Sequence, residues 1–516
     1  MSSSRLASVF LAGFVAVASA AEPTLIHLFP VAGTQGTTVS VAAAGKFDPW
    51  PPQVWVDAPG ITFHAAKTAG KFDVEVAKDA TPGPHLVRFY NEQGASAPRF
   101  FIVSSEPELL EVEPNDNFKS PQKIDKLPVT INGRLDKAGD VDCFAVALKK
   151  GETLTAGVEA YVLASTFDGM LRLVDEDGTE VAFNHDDGRT LDPLLIWRAP
   201  RDGTFVVQLM GFIYPANSSV GLTGGEGCVY RLHLSATAAP APRDIAPDSE
   251  PTVQESSSGV PVGSTPPLAI PVSVAGCIRK AGQENRHLFQ AVKKQPYQLR
   301  VIAEQTGSPL DAWLKIEDQD GKQLGRNDDV GSLHDPLINW TAQSDGVFVA
   351  VVGDTTHRGG AGYVYRLEIN EAVPSVAATS ASHGISVMGG KTAEVKVTVK
   401  RTNGFKSKVM LAAKSLPEGV SAPEVEVPEK DGEVTLKISA EADAAPTGQP
   451  FQVVLREVES GTEHPVSYFM TAVGENNGVT QGYTKLVIDS TDKLWLTVVK
   501  AAADAEKPKA EAASKQ

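Results

Sequence analysis

Apolar and polar residues alternate along several short stretches of this chain. Residues 73–76, 394–399 and 434–438 each place an apolar side chain at every second position. This is the period of a β-strand with one buried face. Clusters of Gly and Pro, such as Pro82-Gly83-Pro84, separate these stretches as turns do. The pattern predicts an all-β protein made of tandem β-sandwich or jelly-roll domains.

The same pattern divides the chain into four modules. Strand-like segments fill 22–104, 106–236, 268–371 and 373–499. Residues 237–267 are rich in Pro, Ser and Ala, a composition that predicts a semi-extended linker. Residues 501–516 contain only Ala, Asp, Glu, Lys, Pro, Ser and Gln. Such a segment cannot bury a core, so we expect a disordered tail.

The first twenty residues have the features of an export signal. Arg5 precedes an apolar run over 6–17, and Ala18-Ser19-Ala20 matches the small-x-small cleavage pattern. We therefore expect a signal peptide over 1–20, a mature chain from Ala21, and a periplasmic or secreted protein. An uncleaved anchor is the alternative. No later stretch approaches the roughly 18 apolar residues that a membrane-spanning helix needs.

The two central modules form an internal repeat. Residues 167–209 align without gaps on 310–352, 143 positions later. An Asp-x-Asp-Gly turn, an Asp-Pro pair and a Trp recur in both, and the closing Val-Tyr-Arg-Leu motif recurs as well. The unit is longer than 100 residues, so it is a duplicated domain and not a solenoid repeat. We call 106–236 the first repeat and 268–371 the second repeat.

Composition and charge narrow the class of protein. The 516 residues carry a formal net charge of −16, with 45 Gly, 35 Pro and 3 Cys. This composition excludes a collagen, a coiled coil and a fully disordered chain. A net acidic chain without a long basic run argues against nucleic acid as a partner.

The outer modules resemble immunoglobulin-like domains. The run Pro30-Val31-Ala32-Gly33-Thr34-Gln35-Gly36-Thr37-Thr38-Val39-Ser40-Val41 is similar to the start of an IPT/TIG domain, as is 80–83 ahead of a strand. Residues 373–499 resemble the Ig-like modules of bacterial surface proteins. The resemblance implies a β-sandwich for each.

The repeat resembles the bacterial pre-peptidase C-terminal domain. In the first repeat the resemblance rests on Glu111-Val112-Glu113-Pro114-Asn115-Asp116-Asn117, then on Gly139-Asp140-Val141-Asp142-Cys143-Phe144, and later on the Asp-x-Asp-Gly turn and Asn184-His185-Asp186-Asp187. It implies a jelly-roll sandwich beside secreted proteases and other exported enzymes. Relatives in bacterial collagenases bind collagen, and calcium orders their N-terminal segment.

The residues agree with a calcium site in the first repeat. In an extended segment Glu111, Glu113 and Asn115 share one face, because the strand period is two. Asp116, Asp140 and Asp142 complete a set of six oxygen-bearing side chains, which suits the six to eight oxygen ligands of Ca²⁺. The first repeat holds 21 acidic and 12 basic residues, and a bound ion would relieve their repulsion. The alternative is a solvated acidic segment with no ion.

The second repeat departs from this pattern. It lacks the Glu-x-Glu-Pro-Asn run, and Gly282-Gln283-Glu284-Asn285 replaces the Asp140/Asp142 pair. We therefore predict no calcium site there. Asn184 and Asp186 persist as Asn327 and Asp329 in both repeats, and we interpret them as loop-forming caps more than as ligands.

The repeat also bears on the cysteines. Aligning Phe144 with Phe289 puts Cys143 opposite Leu288, and Cys228 aligns with Tyr363. Both cysteines are thus replaced together, which predicts a Cys143–Cys228 disulfide between the first and last strands of the first repeat. Two buried thiols are the alternative. Cys277 would stay free.

The sequence contains none of the short motifs typical of hydrolases. It lacks a His-Glu-x-x-His zinc motif and a Gly-x-Ser-x-Gly nucleophile elbow, and its ten His are scattered. We therefore expect a non-catalytic protein that binds an extracellular protein or polysaccharide, with the exposed aromatics Trp50, Trp55 and Tyr214 as candidate contacts. A structural spacer, an accessory protein of a secreted peptidase and a cryptic hydrolase are alternatives. The sequence leaves the oligomeric state undetermined.

Overall fold

The chain is all-β, which confirms the predicted fold class. The computed structural model describes residues 21–185, 192–213, 221–236, 252–254, 266–303, 308–329, 335–360, 362–471 and 487–501. Within these ranges every regular element is a strand except a single 3-10 turn. The leader 1–20, most of the linker 237–267 and the tail after 501 lie outside the described residues, so the expectations for them remain predictions.

The N-terminal module, 22–104, is a sandwich of two sheets with the orders β1-β3-β6-β5 and β2-β9-β7-β4. Between the sheets lies a core that includes Phe72, Phe89 and Phe101. Its strands are β1 Thr24–Phe29, β2 Ala32–Thr34, β3 Thr38–Lys46, β4 Gln53–Val56, β5 Ile61–Ala65, β6 Lys71–Val76, β7 Gly83–Asn91, β8 Gly94–Ala95 and β9 Arg99–Ser104.

The first repeat is a jelly roll. Its two five-stranded sheets have the orders β10-β12-β19-β14-β17 and β11-β13-β18-β15-β16, so successive strands cross between sheets except at the β15–β16 hairpin. Its strands are β10 Glu108–Leu110, β11 Gln122–Ile124, β12 Val129–Arg134, β13 Asp142–Leu148, β14 Thr153–Glu159, β15 Phe167–Val174, β16 Glu180–Asn184, β17 Leu194–Arg198, β18 Gly203–Ile213 and β19 Val229–Ser235, with the 3-10 turn at Tyr161–Leu163.

The second repeat has the same jelly-roll order, except that its second sheet has no strand equivalent to β11 among the described residues. Its sheets run β20-β21-β28-β23-β26 and β22-β27-β24-β25. Its core includes Trp340 packed against Phe348, as Trp197 packs against Phe205 in the first repeat. Its strands are β20 Thr252–Gln254, β21 Val272–Cys277, β22 Asn285–Ala291, β23 Pro296–Ile302, β24 Ala312–Glu317, β25 Gln323–Asn327, β26 Leu337–Thr341, β27 Gly346–Asp354 and β28 Val364–Glu371.

The C-terminal module, 373–499, is a single sheet of eleven strands that wraps around one core. The long strand β36 allows this, because its first half pairs with β39 and its second half with β32 and β37. The strands are β29 Ser375–Ser380, β30 Gly384–Met388, β31 Thr392–Thr402, β32 Val409–Lys414, β33 Val420–Ser421, β34 Val425–Glu426, β35 Gly432–Ala440, β36 Thr447–Glu457, β37 Glu463–Thr471, β38 Val487–Thr491 and β39 Leu494–Val499.

The N-terminal and C-terminal modules are joined by a buried arginine. Arg88 of β7 is fully buried. Its Nη1 donates to Ser96 O at 3.1 Å and to His383 Nδ1 at 3.1 Å, and its Nη2 donates to Lys493 O at 3.2 Å. His383 therefore accepts through a neutral ring, and burial lowers its pKa to about 4. We call this contact the clasp.

Aromatic packing and polar contacts extend the clasp. Trp495 of the C-terminal module lies 4.8 Å from Tyr90 and 5.8 Å from Trp55, measured between ring centroids. Lys493 Nζ lies 3.2 Å from Asp57 Oδ2. The two ends of the described chain are therefore packed together, although the two repeats separate them in sequence.

Candidate metal site

The six acidic and amide residues of the predicted site lie at the start of the first repeat. Strand β10 is fixed beside β12 because Glu108 accepts hydrogen bonds from Asn132 Nδ2 and Arg231 Nη2, both at 2.6 Å. The segment after β10 then passes close to the turn that connects β12 with β13, and this turn holds Asp140. The structure therefore brings the two halves of the predicted set to one end of the sandwich.

Three of the five carboxyl groups in the predicted set converge on one point. Glu113, Asp116 and Asp140 each offer an oxygen, and these oxygens all lie within 4.8 Å of one another. Asp140 is buried, and its second oxygen accepts the backbone N–H of Asp136. Burial raises the pKa of Asp140, and it also raises the pKa of Glu113. Three converging carboxylates repel one another unless a cation lies among them.

Two further carboxyl groups share one tyrosine. The Tyr230 hydroxyl of β19 lies 2.6 Å from Asp142 Oδ2 and 2.8 Å from Glu111 Oε2. A hydroxyl has one proton, so it cannot donate to both carboxylates at once. Burial is the largest cause that raises the pKa of Asp142, and the neighbouring Glu111 charge adds to it. Burial likewise raises the pKa of Glu111. Without a cation, this pair is therefore held as a partly protonated acid.

Several buried oxygens of the site accept no hydrogen bond within the described part of the chain. Asn115 is fully buried, and neither its Oδ1 nor its Nδ2 has a partner there. Asp142 Oδ1 is also without a donor, and Asp140 Oδ1 accepts no hydrogen bond but lies 3.4 Å from the Lys137 ammonium. Unsatisfied buried polar atoms are costly. Carboxylate and amide oxygens without donors fit a bound hard cation, so the residues present suit calcium.

Sequence reasoning missed two members of the site. Tyr230 links Glu111 to Asp142, and Lys137 places its ammonium 3.0 Å from Asp116 Oδ2. Tyr230 belongs to the Val-Tyr-Arg-Leu motif that closes both repeats, and this recurrence was an available signal. In both repeats the ring of this tyrosine packs directly on a glycine. A Cβ at Gly133 would lie 2.1 Å from the Tyr230 ring, and a Cβ at Gly276 would lie 2.3 Å from the Tyr365 ring.

The second repeat has the same backbone with neutral side chains. Asp142 pairs with Leu209, and Asn285 pairs with Val352, so Asn285 stands where the first repeat has Asp142. The backbone N–H groups of Arg279 and Lys280 donate to Gln283 Oε1, as those of Asp136 and Lys137 donate to Asp140 Oδ2. Gln283 therefore replaces Asp140, and both replacements turn a carboxylate into a carboxamide.

These neutral groups satisfy one another. Gln283 Nε2 donates to Asn285 Oδ1 at 2.6 Å, and Asn285 Nδ2 donates to the Tyr365 hydroxyl at 2.9 Å. His287 Nε2 lies 2.8 Å from the same hydroxyl. This network needs no cation, because amides supply both donors and acceptors.

The strand register corrects our alignment of the repeats. Phe144 pairs with Val207, and His287 pairs with Ala350, so Phe144 corresponds to His287 and not to Phe289. The correct offset is 143, the same as in the rest of the repeat. Cys143 consequently corresponds to Arg286, whose guanidinium binds Glu317.

The predicted Cys143–Cys228 disulfide is wrong. None of the three cysteines forms a disulfide, and all three are buried. Phe144 faces the core between the sheets, so Cys143 beside it must face the opposite side of its sheet, where it packs with Ala145 and Val206 and accepts from Gln208 Nε2. Cys228 lies in the core between the sheets. The two thiols therefore belong to different clusters.

The candidate contact aromatics are used inside the molecule. Trp50 packs on Phe47 and Phe72, and its Nε1 donates to Ala66 O at 3.2 Å. Trp55 packs on Trp495 in the clasp. Tyr214 lies outside the described residues. Trp50 and Trp55 are therefore not free surface contacts.

The cap interpretation holds for Asn184 but not for its counterpart Asn327, whose Oδ1 is buried without a hydrogen-bond partner among the described residues. Asn184 Oδ1 accepts the backbone N–H of Leu194 at 3.1 Å, which closes the loop between β16 and β17. Asp186 lies outside the described residues.

Comparisons with known proteins give little guidance. No protein-family profile matches the sequence, and no curated protein matches it. Solved structures that match include Escherichia coli alpha-2-macroglobulin activated by porcine elastase, with 11% identity over 93% of this chain and 44% of that one (TM-score 0.15). The surface layer protein SbsC, domains 1–6, matches with 11% identity over 86% and 54% (TM-score 0.15).

The N-terminal eight Ig domains of Down Syndrome Cell Adhesion Molecule match with 10% identity over 86% of this chain and 54% of that one (TM-score 0.16). The chain thus spans about half the length of these structures. Likeness at this level assigns no function to the chain. Separately, no helix among the described residues is long and apolar enough to cross a membrane.

Proposed function

We propose that this chain is an exported, non-catalytic protein that binds an extracellular protein or polysaccharide, and that calcium stabilises its first repeat. The observation that supports the calcium role is the contrast between the repeats. The second repeat satisfies its amides internally, whereas the first leaves buried carboxylate and amide oxygens without donors at the same place. The resemblance to pre-peptidase C-terminal domains points the same way.

The ion would be held by oxygen ligands only. Glu113, Asp116 and Asp140 provide converging carboxylates, and the buried Asn115 provides an amide oxygen. Glu111 and Asp142 lie on the Tyr230 side of the same turn. Bound calcium would supply the positive charge that allows these carboxyl groups to stay ionised while buried. Because Glu111, Glu113, Asn115 and Asp116 belong to the segment after the N-terminal module, the ion would also fix that segment to the sandwich.

The clasp favours a binding protein over a spacer. A spacer that sets a distance holds its ends apart, but Arg88 and Trp495 pack the two end modules against each other. Two end modules fixed against each other suit the presentation of a surface.

Thermal unfolding with calcium chloride and with EDTA tests the calcium role. We expect calcium to raise the melting temperature of the wild-type protein by several degrees. The variant Asp140→Gln/Asp142→Asn, which installs the second repeat's amides, should lose this response. Asp125→Asn/Asp320→Asn removes two exposed acids away from the site and should keep it. A wild-type protein that melts identically in both solutions would exclude the calcium role.

Co-sedimentation tests binding separately. The calcium-loaded protein would be mixed with insoluble collagen, with peptidoglycan and with insoluble polysaccharides. We expect it to be retained by one of these and released when the modules are unfolded. Retention by none of them would favour the spacer.

A further inference from the structure

Lys137 places a positive charge beside two members of the carboxylate cluster. Its Nζ lies 3.0 Å from Asp116 Oδ2 and 3.4 Å from Asp140 Oδ1. These are two of the three carboxyl groups whose oxygens converge within 4.8 Å. The ammonium therefore lies where a metal ion bound by these residues would also lie.

The turn between β12 and β13 holds the lysine there. The backbone N–H of Asp140 donates to Lys137 O at 3.1 Å, which bends the chain back over the cluster. The side chain is nevertheless 61% exposed. It can therefore leave the carboxylates by rotating into solvent, with no change in the backbone.

The second repeat provides an internal comparison. Lys280 occupies the same position in the same turn, because Gln283 N donates to Lys280 O as Asp140 N donates to Lys137 O. Lys280 stands beside the neutral Gln283, and it forms no ion pair with any residue that the structure describes. The lysine is thus shared by both turns, but only in the first repeat does it face carboxylates.

We propose that Lys137 is a built-in competitor for the metal ion of the first repeat. Its ammonium neutralises Asp116 and Asp140 when no ion is bound, and the ion must displace it on binding. The reason is Coulombic, because a divalent cation and an ammonium cannot both occupy a space a few ångströms wide. The lysine lowers the affinity for calcium and stabilises the ion-free protein. The inference rests on the calcium role proposed above.

Calorimetric titration of the full chain with calcium chloride at low ionic strength tests the inference. Lys137→Met keeps the aliphatic stem and removes the charge. We expect it to bind calcium about fivefold to tenfold more tightly than the wild type, a modest factor because the charge is largely solvated. Lys137→Arg keeps the charge and should bind like the wild type. Lys280→Met is the matched control and should also bind like the wild type.

A second measurement does not depend on calcium. In EDTA, Lys137→Met should melt a few degrees below the wild type, because Asp116 and Asp140 lose their counter-charge, whereas Lys280→Met should not. The calcium-induced rise in melting temperature should consequently be larger for Lys137→Met than for the wild type.

The outcomes separate this inference from the calcium role. If the wild type binds calcium and Lys137→Met binds with equal or weaker affinity, the competitor role is overturned while the calcium role stands. If only Lys137→Met binds, the competitor role is supported. If neither protein binds calcium, both are overturned. An equal gain in affinity for Lys280→Met would show a general charge effect and would also overturn the competitor role.

Discussion

The two repeats hold opposite chemistry on one backbone. Between β12 and the start of β13, the first repeat has Asp140 and Asp142. At the equivalent place between β21 and the start of β22, the second repeat has Gln283 and Asn285. Tyr230 faces carboxyl groups, whereas Tyr365 faces an amide and a neutral histidine. The carboxylates need an outside positive charge, and the amides do not.

The contrast shows that the jelly roll itself does not require the acids. Buried carboxyl groups cost free energy that buried amides, fully hydrogen-bonded, avoid. The second repeat shows that the fold forms with hydrogen-bonded amides in place of the acids. The acids of the first repeat accord with the calcium role that we propose, and changing one repeat toward the other tests it.

The largest effect should come from giving the second repeat the acids of the first. Gln283→Asp/Asn285→Asp places one buried and one half-buried carboxylate near Tyr365, without equivalents of Glu111, Glu113 or Asn115 to complete a site. We expect the second repeat to lose about 2–4 kcal/mol of stability in EDTA. Hydrogen exchange of peptides covering 285–291 measures this locally, and peptides covering 142–148 serve as the control. Unchanged exchange over 285–291 would contradict our view of the amide network.

A smaller effect is that the stabilities of the two repeats respond to pH in opposite directions when the protein is in EDTA. Burial lowers the pKa of His287 from 6.5 to about 4 in the second repeat. The unfolded chain therefore binds a proton that the folded repeat does not, and stability falls as the pH drops from about 6.5 toward 4, by about 2–3 kcal/mol. In the first repeat, the raised pKa of Asp142 gives the reverse sign, since protonation favours the folded state.

Hydrogen exchange of each repeat at several pH values measures these trends. His287→Gln keeps a hydrogen-bonding side chain and removes the titration, so the second repeat should become insensitive to acid in this range. Parallel trends in the two repeats would contradict the comparison.

The smallest effect concerns the cysteines. Thiol titration in denaturant without reductant should find three free thiols. Cys143→Ser should cost less than about 1 kcal/mol, because Gln208 Nε2 can donate to a hydroxyl as it does to the sulfur. A large loss of stability, or a count of one thiol, would restore the disulfide.

Much of the fold followed from local pattern. Alternation predicted the strands, and the Asp-x-Asp-Gly turn between β15 and β16 forms as expected, with Gly178 at a φ of 83° and Asp175 Oδ1 accepting from Thr179 N. Trp197 and Trp340, the Trp that recurs in the two repeats, pack on Phe205 and Phe348. These features depend on residues close in sequence or on one strand period.

The features that the sequence did not show are the register of the repeats and the contacts of the site, and both depend on pairing between strands that are distant in sequence. Matching Phe144 to Phe289 by residue type missed the true register by two positions, since hydrogen-bonded ladders and not residue identity set it. Alternation already placed Cys143 opposite to Phe144, which was a usable sign against the disulfide. The contact of Tyr230 with Glu111 joins residues 119 positions apart, and no local pattern encodes it.

The clasp has a mechanical consequence. Its contacts join β7 and β8 of the N-terminal module to β30 and β39 of the C-terminal module, with Ser386 Oγ donating to Gln93 O as a further tie. A pulling force applied to both ends of the chain would therefore load this joint first, while the two jelly rolls between the ends stayed slack. Only after Arg88 and Trp495 had separated would tension reach the repeats.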